Sequence, residues 1–112
     1  MVRIEAIIRQ EKFEDVKDAL QSIGVIAMTV DEVYGCGHQA GHVEHYRGLE
    51  THINLLPKIR ITTVVNEVDP EKVVDAICEA AYTGEHGDGK IFIMPLLDAV
   101  RIRTRERGGV AV

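Results

Sequence analysis

Cysteine is scarce: Cys36 and Cys78 are the two thiols of a 112-residue chain, too few for a disulfide framework. There is no secretory leader pattern and no apolar run near membrane-spanning length. The expected setting is therefore the reducing cytoplasm, with no direct membrane insertion. Positive charge is also in deficit. Thirteen Lys and Arg against eighteen Asp and Glu leave a net charge of −5, and no basic stripe offers to displace counterions from nucleic acid. A nucleic-acid partner is thus not expected. No Ser/His/Asp or Cys/His arrangement with a base in reach is visible, so an enzyme is not expected either. What remains, at 46% hydrophobic and 28% charged residues, is the composition of a folded domain spanning 1–112.

Taken in order, Val2, Ile4, Ala6 and Ile8 alternate with Arg3, Glu5, Ile7 and Arg9, the pattern of a half-buried strand. Phe13, Val16, Ala19, Leu20 and Ile23 follow at helical spacing within 12–22, and Gly24 stops the helix. A β-branched run, 25–34, predicts a second strand. From Gly35 to Asn54 the pattern gives way to glycine, histidine and charge, a length that makes the loop functional or disordered. Strand alternation resumes over 58–65. Asp69 and Pro70 are an N-cap and N1 pair for a second helix that turns Val73, Ile77 and Ala80 inward and runs to about Tyr82. Strands over 90–95 and 99–103 finish the chain, and Cys78 is expected as a small core residue.

The halves echo each other, 16–20 (VKDAL) against 73–77 (VVDAI). Two such units predict an α+β, ferredoxin-like βαββαβ sandwich: a four-stranded antiparallel sheet, two helices on one face, and a long loop between the second and third strands. The other face, with Ile7, Val64 and Phe92, is expected to be bare and apolar and to call for a partner, most simply more copies of the chain.

The chain is organised around Thr83-Gly84-Glu85-His86-Gly87-Asp88-Gly89-Lys90, which runs into the apolar strand Ile91-Phe92-Ile93-Met94. Three glycines and a closing lysine form a backbone that can turn its N–H groups toward an anion. Arg101, Arg103, Arg105 and Arg107 crowd the tail downstream. Loop and arginines together read as the phosphate cradle of a nucleotide site.

Several stretches resemble the PII-type nitrogen-regulatory signal proteins: Thr83 with Gly87–Ile93, the opening 4–9 (IEAIIR), Met28-Thr29-Val30, Tyr46-Arg47-Gly48, Leu56-Pro57-Lys58, and Val100 to Thr104. The likeness covers nearly the whole chain. It implies a homotrimer binding ATP and ADP in clefts between subunits. It also implies that 2-oxoglutarate joins through magnesium on ATP, and that the 35–54 loop docks on a target such as an ammonium transporter or a nitrogen-metabolism enzyme. By resemblance, Gly87, Asp88, Gly89 and Lys90 hold phosphates, with Arg101 and Arg103 from the neighbouring subunit. Thr29 answers the adenine-contacting threonine, and Val64 belongs to the same nucleotide site. Gly35, Gly37 and His38 lie at the loop base against the phosphates. Gln39 completes the magnesium shell with 2-oxoglutarate, Lys58 pairs with nucleotide or acid, and Tyr46, Arg47 and Gly48 form the docking tip.

Departures cluster in the long loop. His38 replaces arginine, Ala40 lysine, Thr62 glutamate and Thr51 the tyrosine that some members carry, so uridylylation at 51 is not expected. Arg105 stands where glycine is common. Cys36, His38 and His42 give a second reading of the loop as a transition-metal site in a metal-responsive adaptor, and a slow ATPase is a third.

Overall fold

A computed structural model describes residues 1–36, 44–46, 49–51 and 55–112, with only the backbone described for 44–46 and 49–51. Its elements are β1 (Val2–Arg9), a 3-10 turn (Gln10–Lys12), α1 (Phe13–Ser22), β2 (Thr29–Gly35), β3 (Glu44–Tyr46), β4 (Leu49–Thr51), β5 (Leu56–Val65), α2 (Pro70–Ala81), β6 (Gly89–Pro95) and a closing 3-10 turn (Gly108–Ala111). Four strands form one antiparallel sheet in the order β2-β5-β1-β6. The expected βαββαβ sandwich is the fold.

Period-two alternation explains the core. Ile4, Ala6 and Ile8 of β1, with Ile61 and Val65 of β5, are buried against Val16 and Leu20 of α1 and Val73, Ile77 and Ala81 of α2. Each of the Val, Leu and Ile side chains among them contributes about 1.5–3 kcal/mol by leaving water. Both helices have local stops and starts. Gly24, at φ 90°, closes α1 in a Schellman arrangement, its N–H on the Gln21 carbonyl and the Val25 N–H on that of Leu20. Asp69 caps α2 by accepting from the Glu71 N–H at 3.0 Å.

Four expectations about the elements need correcting, before those about the open face and the site. Residues 25–28 are not strand, because the chain must cross there from the helix layer to the sheet edge. Val25 is buried in the core, and Thr63 Oγ1 ties the crossing by donating to the Ala27 carbonyl at 2.8 Å. The strand expected over 99–103 is absent. β6 ends at Pro95, and the Asp98 carboxylate then accepts from Ala99 N, Gly108 N and Arg107 Nη1. That folds the tail back on itself, leaving one bridge, Val100 to Arg107. Cys78 is exposed, on the side of α2 that lines a hollow with Ile91 and Ile93 of β6. Finally, the stretch 35–54 contains a small sheet, β3 paired with β4, whose three-residue strands are too short for alternation to reveal.

The uncovered face of the main sheet is mixed rather than apolar. In register, Ile7 sits between Arg60 and Lys90, Phe92 opposite Glu5, and Val64 opposite Arg3. Arg60 grips Asp31 with two nitrogens, at 3.1 and 2.6 Å, and Glu5 lies 3.3 Å from Arg3 and 4.0 Å from Arg60. Ion pairs this exposed are screened by solvent and add little to stability. They set the pattern of charge on the face more than they stabilise the sheet.

Candidate anion-binding site

The 83–90 loop is shaped from within by Asp88. Its carboxylate accepts from the Thr83 hydroxyl, the Thr83 N–H at 2.8 Å, the Gly84 N–H at 3.0 Å and Arg9 Nε at 3.1 Å. These donors, the Thr83 hydroxyl first, hold it well below the usual carboxylate range. A carboxylate aimed at a bound phosphate would repel it. Turned inward, Asp88 instead fixes the loop.

Two cations finish the shaping. Arg9 Nη2 donates to the His86 carbonyl at 2.8 Å and Lys58 Nζ to the Gly87 carbonyl at 2.5 Å. In a trans peptide the N–H points opposite its carbonyl. Drawing the His86 and Gly87 carbonyls inward therefore turns the Gly87 and Asp88 amides outward, and neither has a partner among the described residues. Lys90 is exposed beside them, one register row from the loop. Outward amides next to an ammonium form a receptor for an oxyanion. Burial of Lys58, at 9% exposure, and the neighbouring Arg9 charge both lower its pKa. Glycine is required at 89: at φ 111°, a Cβ there would overlap the Ile7 carbonyl oxygen.

The structure brings Lys58, Gly87, Asp88, Gly89 and Lys90 together, with Gly35 close by. A Cβ on Gly35 would meet the Lys58 stem at 3.4 Å. Thr29 and Val64 are elsewhere. Thr29 is level with Thr62, so it and Val64 stand four and six residues along β5 from Lys58, roughly 13 and 20 Å at about 3.3 Å per residue. There they line a hollow of about 360 Å³ with Ala99 and Ala111 of the tail. Arg101 and Arg103 do not share a strand face. Arg101 is engaged inside the tail, 3.1 Å from Glu106 and 2.8 Å from the Val110 carbonyl, while Arg103 is exposed on a turn. Gly37, His38, Gln39, His42, Arg47 and Gly48 lie outside the described residues, as does the Tyr46 side chain. Cys36 is exposed at the end of β2. No cluster of three or more metal-ligating side chains occurs among the described residues.

Arg9 was not legible as a site residue. For Arg9 the available signal was its position: the last residue of a strand, on the parity opposite the core. An acid inside a glycine loop, as at Asp88, was the clue that this carboxylate must face inward.

The fold defines a ferredoxin-like α+β protein, with a glycine loop at one end of its sheet as a candidate oxyanion site. A family model described as nitrogen regulatory protein P-II matches residues 1–106. The chain is 52% identical to nitrogen regulatory protein P-II 1 of Methanothermobacter thermautotrophicus, over all of this chain and 97% of that one. It is 47% identical to nitrogen regulatory protein P-II of Azospirillum brasilense and 46% to nitrogen regulatory protein GlnK of Escherichia coli, over the full length of both chains in each case. The chain belongs to the P-II family of nitrogen regulatory proteins, a family of signal-transduction regulators. These relatives are named as regulators, not as enzymes. No helix among the described residues is long and apolar enough to cross a membrane.

Proposed function

We propose that the chain is a cytoplasmic, homotrimeric sensor of ATP and ADP that signals by moving its 35–54 loop onto a protein target, an ammonium transporter or a nitrogen-metabolism enzyme. The observation that carries this is the loop: Arg9 and Lys58 pull carbonyls inward and leave the Gly87 and Asp88 amides facing out beside Lys90. A site between copies is supported by the separation of the two ends of β5. The glycine loop is at one end, and Thr29, Val64 and the arginine tail are at the other, so a single chain presents its two half-sites too far apart for one polyphosphate. A neighbour's tail end placed against the loop would complete the grip. Exposed apolar side chains on the tail also favour association, Leu97 at 101% and Ile102 at 96%.

The donor set fits magnesium only as a passenger on the nucleotide. Asp88, the carboxylate at the loop, is already engaged, and magnesium readily keeps phosphate oxygens as ligands. Bound this way, the ion would supply a Lewis-acid contact through which 2-oxoglutarate could join the nucleotide. Gln39 would hold that ion. Lys58 lies against Gly35 at the base of the 35–54 loop, where its ammonium would attract a carboxylate or phosphate while keeping the Gly87 carbonyl.

Titration calorimetry with ATP, ADP and AMP, with and without 2-oxoglutarate and magnesium, together with sedimentation, tests this reading. A trimer that gives heat with nucleotide and no turnover is expected. A lone subunit without affinity for adenosine phosphates would refute it, and sustained phosphate release would favour the slow ATPase.

A further inference from the structure

The helix layer has a groove of its own, on the side of the sheet away from the open face. Where α1 and α2 pack together, Ala19, Ser22 and Ile23 at the end of one helix and Ala76, Glu79 and Ala80 of the other line a hollow of about 380 Å³. Its floor is mostly apolar, and the Ser22 hydroxyl there already donates to the Ala19 carbonyl at 2.7 Å. Charge frames the groove with one sign. Residues three and four apart share a helix surface, which sets Asp15 and Asp18 beside Ala19 and Ser22, and Lys72 and Asp75 beside Ala76 and Glu79. Asp15, Asp18, Asp75 and Glu79 are all exposed, and none makes a side-chain hydrogen bond or salt bridge with another described residue. Lys17, which also feels Asp18, is already taken up by Glu14 at 2.5 Å. Four carboxylates thus stand against one remaining ammonium, that of Lys72.

We propose that the groove between α1 and α2 is a docking site for a basic amphipathic helix of a protein partner. The apolar stripe of that helix seats on Ala19, Ala76 and Ala80, and its Lys or Arg flanks meet Asp15, Asp18, Asp75 and Glu79. Charge complementarity selects the occupant. Nucleic acid and an anionic membrane surface are repelled, and a second copy would bring the same four carboxylates to the same place. The site does not depend on the nucleotide reading, and it lies on the layer opposite the face that carries Arg60 and Lys90.

The test is a titration of the isotopically labelled full chain, followed by amide shifts, with a synthetic peptide of roughly four helical turns. The peptide carries Leu at i, i+3, i+4 and i+7 and Lys elsewhere. One control has the same composition with the leucines scrambled, and the other has Glu for Lys. Saturable shifts confined to 15–23 and 72–80 are expected, with the scrambled peptide roughly tenfold weaker and the Glu peptide not binding. Two variants divide the contributions. Asp18→Lys combined with Glu79→Lys should weaken binding roughly tenfold at low salt and less at high salt. Ala76→Gln, which fills the floor, should weaken it at both. These positions lie outside the buried core, so melting temperatures should move by less than about 4 °C, which separates a binding defect from a folding one. Equal binding of the ordered and scrambled peptides would overturn the assignment. So would shifts spread over acids on other elements, or unchanged binding by the variants. Shifts at the same amides that grow with protein concentration alone would give the groove to a second copy and overturn it as well.

Discussion

Adding one methyl group at Gly89 should damage both the sheet and the loop, and the structure lets the two costs be separated. At φ 111°, the Gly89→Ala variant would carry the left-handed backbone penalty of about 1–2 kcal/mol. Its new Cβ would also overlap the Ile7 carbonyl oxygen and lie 2.9 Å from the Ile7 carbonyl carbon and 3.2 Å from Ile8 Cα. All three atoms are backbone, so no rotamer can relieve the clash. β6 must lift from β1 at its first residues, where Gly89 pairs with Ile8 and Lys90 with Ile7. Losing about two ladder hydrogen bonds at roughly 1 kcal/mol each brings the total to about 3–4 kcal/mol. At about 4 °C per kcal/mol for a chain this size, Tm should fall by roughly 12–16 °C. Gly24→Ala is the internal control, because Gly24 has φ 90° but nothing within 4 Å of an added Cβ. Only the backbone penalty applies there, so Tm should drop by roughly 4–8 °C. Thermal melts give the difference, and amide exchange at Lys90 and Ile91 locates it. Equal melting shifts for the two variants, or unchanged protection at Lys90, would refute the claim that the loop is seated by backbone contact at Gly89.

Leu20, fully buried between α1 and the sheet, should cost about 2–5 kcal/mol on truncation to alanine; denaturant unfolding that shows a loss below about 1 kcal/mol would mean the core can collapse around the gap. Asp69→Ala removes the cap that α2 takes from the Asp69 side chain and should cost about 1 kcal/mol, read from the same titrations. The acid limb of stability follows from Asp88, Asp31 and Asp98, each held below an ordinary value of 3.8 by its hydrogen-bonded partners. A lowered folded-state pKa gives a contribution that is complete above the unfolded value and lost as pH falls through the folded one. Melts should therefore be flat from pH 7 to about 5 and decline below about 4, with a shallower decline in Asp88→Asn. An Asp88→Asn profile identical to that of the unsubstituted chain would show that the carboxylate does not hold the loop.

Where a residue's environment is set by its near neighbours in sequence, the sequence was readable. The alternation of Ile4, Ala6 and Ile8, the helical spacing of Val16 and Leu20, the Gly24 stop and the Asp69-Pro70 start all act within a few residues, and each is found where the pattern put it. Reading failed where a distant partner decides. The β-branched run from Val25 has strand composition, yet its first four residues serve as a crossing because Thr63, far along the chain, claims the Ala27 carbonyl. Alternating arginines at 101 and 103 suggested a strand, but Asp98 folds the tail before any neighbour strand is met. The glycine loop was visible as a loop. The direction it turns toward ligand was not, since that depends on Arg9 and Lys58, residues separated by 77 and 29 positions from the carbonyls they draw in.

The same loop explains how a chain with a net charge of −5 can offer a site to an anion. Charge acts over a Debye length of about 8 Å at physiological salt, so the acids on the helices count for little at 87–90. What counts locally is Arg9, Lys58 and Lys90 against Asp88, with Glu11 acting on Lys58 and Glu85 in the same loop, and the Asp88 carboxylate is engaged by the Thr83 and Gly84 N–H groups and by Arg9. Arg9 and Lys58 do not need to touch a ligand to favour it. By holding carbonyls inward they aim peptide dipoles outward, and the cost of ordering those dipoles is met on folding rather than on binding. Replacing Asp88 by a residue without acceptors would therefore raise the local positive charge and still be expected to weaken the site, because the amides would lose their common direction.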